Sequence, residues 1–132
     1  MLFRSQIVSA QREVVAGKPG AAMTQLESAL PKISPDNKPL ALYWLGSSKL
    51  ASDDPETQQY GILNMLRIPA LYGKEHPELA AAGLYRAMEF LTDSKDTRGS
   101  VALRNELLLR YGQTSFAAKL KSRSNDSSKE TP

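Results

Sequence analysis

The sequence predicts an all-α fold in which antiparallel helical hairpins stack as a short α-solenoid of about seven helices. Two observations carry that prediction. A helix-break-helix unit, ILNMLRIPALYGKEHPELAAAGLYRAMEFL from Ile62 to Leu91, returns in shortened form as LLLRYGQTSFAAKL from Leu107 to Leu120. Sliding the chain on itself so that Leu50 falls on Leu91 also lays one whole hairpin over the next. Asn64 then falls on Asn105, Leu66 on Leu107, Trp44 on Tyr85, Gly46 on Ala87 and Ile62 on Leu103. Apolar meets apolar and small meets small. Each hairpin has an apolar face that it cannot bury alone, so neighbouring copies stack and share one core.

Each element has its own local reason. Phe3, Ile7, Ala10 and Val14 recur at the spacing of one buried helical face, which predicts a first helix over Leu2 to Ala16, ended by Gly17. Pro19 restarts the chain, and Ala22, Met23, Leu26, Ala29 and Leu30 form the second stripe, closed by Pro31 and Pro35. A third helix begins near Asp36, tolerates Pro39 in its first turn and reaches Ala51; its wide apolar stripe marks it as central. Gly46 in its middle costs about 1 kcal/mol of propensity relative to Ala, the signature of a neighbouring helix at close range. Asp54 is an N-cap ahead of Pro55 and Glu56, and the helix that follows carries Tyr60, Ile62, Leu63, Leu66 and Leu71. Pro69 should bend or end it, and Gly73 should stop the remainder at a positive φ. Helix five runs from His76-Pro77-Glu78 to about Leu91 and helix six from about Thr97 to Tyr111. After Gly112, Thr114 caps a short closing helix through Phe116, Ala117 and Leu120. From Ser122 to Pro132 no residue is apolar, so that stretch cannot offset its ordering entropy and is expected to be a disordered polar tail after a domain spanning 1–121.

The composition sets outer limits. The chain has 132 residues, enough for one modest core. With no cysteine it has no disulfide, thiolate zinc site or cysteine nucleophile. Its net charge of +3 comes from 17 cations interleaved with 14 anions, a mixed surface and not a nucleic-acid footprint. No run of about 18 apolar residues predicts a transmembrane span. Arg4, Gln6, Gln11, Arg12 and Glu13 interrupt the apolar run that a secretory signal needs. The cytoplasm is therefore the default compartment. Because the chain starts inside a helical pattern with no cap ahead of it, it reads as a piece of a longer protein, which would open the cell envelope as well.

Reactive constellations are missing from the sequence. His76 has no second His or Cys and no acid cluster with which to ligate a metal, and it reads as a helix-start residue. Asp53, Asp54, Glu75 and Glu78 stand where helix N-termini favour anions. There is no nucleophile elbow and no phosphate-cradling loop, so the sequence predicts no enzyme, no catalytic residue, no cofactor and no metal.

The second helix, with Gly17, Ala22, Met23, Leu26, Ala29 and Leu30, resembles the second helix of a tetratricopeptide repeat, and Leu42, Leu45 and Gly46 are similar to the large, apolar and small positions of that family's first helix. Tyr111, Thr114, Phe116 and Ala117 resemble an inter-repeat linker of envelope members, although Gly112 replaces the usual proline and Lys49 an aromatic. The resemblance implies a right-handed solenoid that binds a peptide or partner protein on a concave face lined by the first helix of each pair. Tyr43, Ser47, Lys49, Arg86 and Glu89 are the partner-binding candidates on that basis. Two other readings compete: a basic helical nucleic-acid-binding or regulatory domain, drawing on Lys119, Lys121, Arg123 and Lys129, and a homo-oligomerising or structural segment of a longer chain.

Overall fold

The structure, a computed structural model, describes residues 19–130 together with Arg12. The helix predicted over Leu2 to Ala16 and its Gly17 terminator lie outside the described residues apart from Arg12, as do Thr131 and Pro132. Among the described residues there are six α-helices and no strand. They are α1 Pro19–Ala29, α2 Lys38–Leu50, α3 Pro55–Tyr72, α4 Pro77–Asp93, α5 Thr97–Arg110 and α6 Ser115–Glu130, with a 3-10 turn at Leu30–Lys32 after α1. Proline stands in the first turn of α2, α3 and α4, where its missing amide costs nothing.

Helices α1 to α5 pack chiefly on their neighbours in sequence, α4 also packs on α2, and α6 packs more on α4 than on α5. The glycines explain how closely α2 and α3 meet. A Cβ on Gly46 would lie 3.2 Å from the Gly61 carbonyl, and one on Gly61 would lie 3.1 Å from the Gly46 carbonyl. Gly46 also faces Met65, and Gly61 faces Lys49 and Leu50, so the pair runs antiparallel. The close approach expected at Gly46 is thus present, and its partner is a second glycine. Gly83 of α4 makes an equivalent approach to α3, where its Cβ would stand 2.7 Å from the Met65 carbonyl.

The main core gathers Leu42, Leu50, Met65, Ile68, Leu84, Tyr85, Met88, Leu107 and Tyr111. A second cluster joins Leu26, Ala29 and Ile33 to Ala41 and Leu45. From Ala80 to Met88 every residue except Arg86 is buried, so α4 shares with α2 the central position expected of α2 alone.

Several local expectations change. Pro69 does not end α3, which continues to Tyr72; the proline sits in the last turn, where one missing amide leaves a single carbonyl, that of Met65, without its helical donor. The buried face of α3 is Gly61, Asn64, Met65 and Ile68, whereas Tyr60, Leu63 and Leu71 are exposed. Gly73 has φ −61 and is right-handed, so it is not required by its backbone angle. It is required by space, since a Cβ there would collide with the Tyr111 hydroxyl. The last helix runs to Glu130, far beyond Leu120. The turn that follows the apolar residues is tied back to the body, with Lys121 donating to the Gly112 carbonyl and Arg123 to the Tyr85 hydroxyl, and extending a helix is easier than starting one.

The Asp54 cap is present as expected. Its Oδ2 accepts from the Thr57 hydroxyl at 2.6 Å and from the Thr57 amide at 3.1 Å, and these bonds hold its carboxyl below the usual range. Because the folded-state value is depressed, the stabilisation is complete above the ordinary carboxylate range and is lost as pH falls through the lowered value. Asp54→Ala should lower the melting temperature at neutral pH and converge on the parent protein in acid. A gap that stays constant down to the lowest pH would show that the ionised carboxylate is not what caps α3.

Candidate functional site

Helix α4 is flanked by α2 and α6, and one stripe of each helix meets at a shared surface. Residues 40, 43 and 44 on α2, residues 79, 82, 86 and 89 on α4, and residues 116, 119 and 123 on α6 recur at three or four, the spacing of a single helical face. Ser115 of α6 is bonded to Glu78 near the start of α4, and Arg123 to Tyr85 and Glu89 further along, so these two helices run in the same direction.

At the N-terminal end of this surface lies an open hollow of roughly 370 Å³ lined by Leu40, Tyr43, Trp44, Leu79, Ala82 and Phe116, with Glu78 at its edge. The aromatic rings are held by each other. Tyr43 meets Trp44 edge-on at 5.3 Å between centroids, and Phe116 lies 5.5 Å from Tyr85. The one carboxylate is already engaged, since Glu78 accepts from the Ser115 amide at 3.0 Å and from its hydroxyl at 2.8 Å, capping α6 from the neighbouring helix. The hollow therefore offers apolar surface and no free charge.

One to two turns along α4 the surface becomes charged. Burial raises the pKa of Tyr43, Arg86 opposes this and Glu89 reinforces it, which places all three within electrostatic reach of one another. Glu89 pairs with Arg123 at 3.8 Å, Arg123 donates to the Tyr85 hydroxyl at 2.6 Å, and the Lys119 ammonium lies 5.0 Å from the Tyr85 ring centre.

Three of the five residues expected from the sequence are thus brought together: Tyr43, Arg86 and Glu89. The other two are not on the accessible face. Ser47 shares the Tyr43 stripe, one turn further along α2, but is buried. Lys49 lies about 240° round the helix from Tyr43, so it faces α1 and α3, pairs with Glu27 at 3.1 Å and stands 5.7 Å from the Tyr60 ring centre. Sequence reasoning did not name Leu40, Leu79 and Phe116 as lining residues; Leu40 is exposed, and Leu79 and Phe116 are half-buried against the main core. The available signal was the stripe Leu79, Ala82, Arg86 and Glu89, which is apolar at one end and charged at the other.

Among the described residues no group of three or more His, Asp or Glu side chains could hold a metal ion, and no helix is long and apolar enough to cross a membrane. Fold and site together define an all-helical domain with an open apolar hollow on three adjacent helices. No family model, curated protein or solved structure matches the chain.

Proposed function

We propose that this protein is a non-enzymatic interaction module, a short right-handed tetratricopeptide-like solenoid that binds a peptide or partner helix along α2, α4 and α6. The observation that carries the reading is the hollow beside Phe116, Leu79 and Leu40, an apolar surface left open next to a charged rim. Protein recognition favours that combination of a central apolar anchor pocket with polar surroundings. Packing of α4 on both α2 and α6 supports the stacking of alternate helices side by side, and the hairpin offset between Leu50 and Leu91 agrees with it.

Selection from a displayed peptide library tests the reading. Peptides with apolar residues at helical spacing should be enriched on the parent protein, lost on Leu40→Asp, and retained on Gln59→Asp, a change at an exposed position of α3. Loss of about tenfold in affinity or more is expected when an apolar anchor meets a charge. If no consensus emerges, or if the enriched peptides bind Leu40→Asp as well as the parent, the proposal is wrong.

A further inference from the structure

A second hollow, of roughly 290 Å³, lies away from the first, where the 3-10 turn, the start of α2 and the end of α3 meet. Its apolar walls include Leu30, Leu42, Leu71 and Tyr72, and its rim carries two cations, Lys38 and Arg67, with no carboxylate among the lining residues. Neither cationic side chain has an ion pair or hydrogen bond among the described residues. Asp36, the acid nearest to Lys38 in sequence, is exposed and pairs with neither.

Lys38 is the first residue of α2, and Asn37 in the N-cap position bonds through its side-chain amide to the Ser34 hydroxyl and gives the helix no side-chain cap. The first turn of α2 contains no acid. The Lys38 amide is already bonded to the Ser34 carbonyl at 3.1 Å and Pro39 has no amide, so the charge that faces the open apolar wall is that of the two side chains, Lys38 and Arg67. Leu71, one of that wall's residues, is 64% exposed.

We infer that this hollow binds an amphiphile with one anionic head, a carboxylate or phosphate, on a short apolar body. The head sits between Lys38 and Arg67, and the body covers Leu71 and Leu42. The volume lies at the lower end for small-ligand pockets, which selects a single short chain. Apolar burial and charge neutralisation then act together: the chain removes Leu71 from water, and the head supplies the missing counter-charge.

Titration of the full chain with octanoate and octyl phosphate, followed by NMR shifts of the Leu71 and Tyr72 signals, tests the site. 1-Octanol and inorganic phosphate serve as probes of each half alone. Both amphiphilic anions should saturate these signals, and each half-probe should bind about tenfold more weakly. Lys38→Gln combined with Arg67→Gln should weaken octanoate binding by about tenfold without changing the circular dichroism spectrum, since Arg67 is exposed and Lys38 only half-buried. Vesicles of phosphatidylcholine with and without phosphatidylglycerol distinguish a free ligand from a lipid head. Co-sedimentation only with the anionic vesicles, lost in the double variant, would identify the same chemistry presented by a lipid. The inference is overturned if octanol binds as tightly as octanoate, if inorganic phosphate matches octyl phosphate, or if the double variant binds like the parent. These outcomes are independent of peptide binding on α2, α4 and α6.

Discussion

Gly83→Val is expected to destabilise the protein by about 3 kcal/mol, the upper end of the usual cost of overpacking a core. The reason is the nature of the atom it meets. A Cβ at position 83 would stand 2.7 Å from the Met65 carbonyl oxygen, part of the α3 backbone, so relief requires α3 and α4 to separate and not merely a side chain to rotate. Ile68 Cδ1, 3.3 Å away, closes the other side. Pro69 sharpens the effect, because the Met65 carbonyl is the one it leaves without a helical donor, and the glycine allows the α4 backbone to approach that oxygen. Gly20→Ala is the control: nothing lies within 4 Å of its Cβ position, and the change should be neutral or stabilising by up to about 1 kcal/mol. Chemical denaturation measures both. An unchanged midpoint for Gly83→Val would mean that the two helices are not in close contact at that point.

The second large effect is a coupled pair. The Tyr111 hydroxyl is buried with no hydrogen-bond partner among the described residues, so Tyr111→Phe should stabilise the fold by about 1 kcal/mol by removing an unsatisfied polar atom. Gly73→Ala should destabilise by about 1 to 3 kcal/mol, because the new methyl group would collide with that hydroxyl and would stand 2.7 Å from the Pro69 carbonyl oxygen and 3.3 Å from the ring carbon bearing the hydroxyl. In the Tyr111→Phe background the hydroxyl's share of that cost is removed while the Pro69 carbonyl remains, giving a coupling of about 1 kcal/mol in a double-mutant cycle. Strictly additive effects would show that Gly73 is retained for some reason other than room for Tyr111.

The parts of the fold legible in the sequence were those governed by local chemistry. Asp54 with Pro55, Pro77 after His76, and the Gly-containing break at 73 all marked helix boundaries because they act over a few residues. The polar run from Thr92 to Asp96 placed the end of α4 within two residues, but not the geometry of the turn. Lys95 adopts φ 65 there, and the Asp96 amide bonds back to the Leu91 carbonyl while the Lys95 amide bonds to that of Thr92. This turn normally announces itself with glycine, and a lysine in its place gives no signal. Repeat matching identified the hairpins but not their environments: Asn64 is buried and its offset partner Asn105 is exposed. The candidate site was half legible for the same reason. The resemblance put Tyr43, Arg86 and Glu89 among the candidates, whereas the burial of Ser47 and the turning of Lys49 toward Glu27 depend on which helix lies alongside, a long-range fact that neither resemblance nor spacing encodes.

Helix α6 is attached to the body by a short apolar patch, Phe116, Ala117 and Leu120, supplemented by polar bonds from Ser115 and Arg123. Its anchorage is thin compared with that of α4, so in amide-exchange terms it belongs to the low-energy end of the molecule, opening as a unit well before α2 to α4 do. Phe116 is also one wall of the hollow. The same excursion that exposes the amides of α6 therefore dismantles that wall, and a ligand lodged against Phe116 would slow exchange throughout a helix it touches at a single residue.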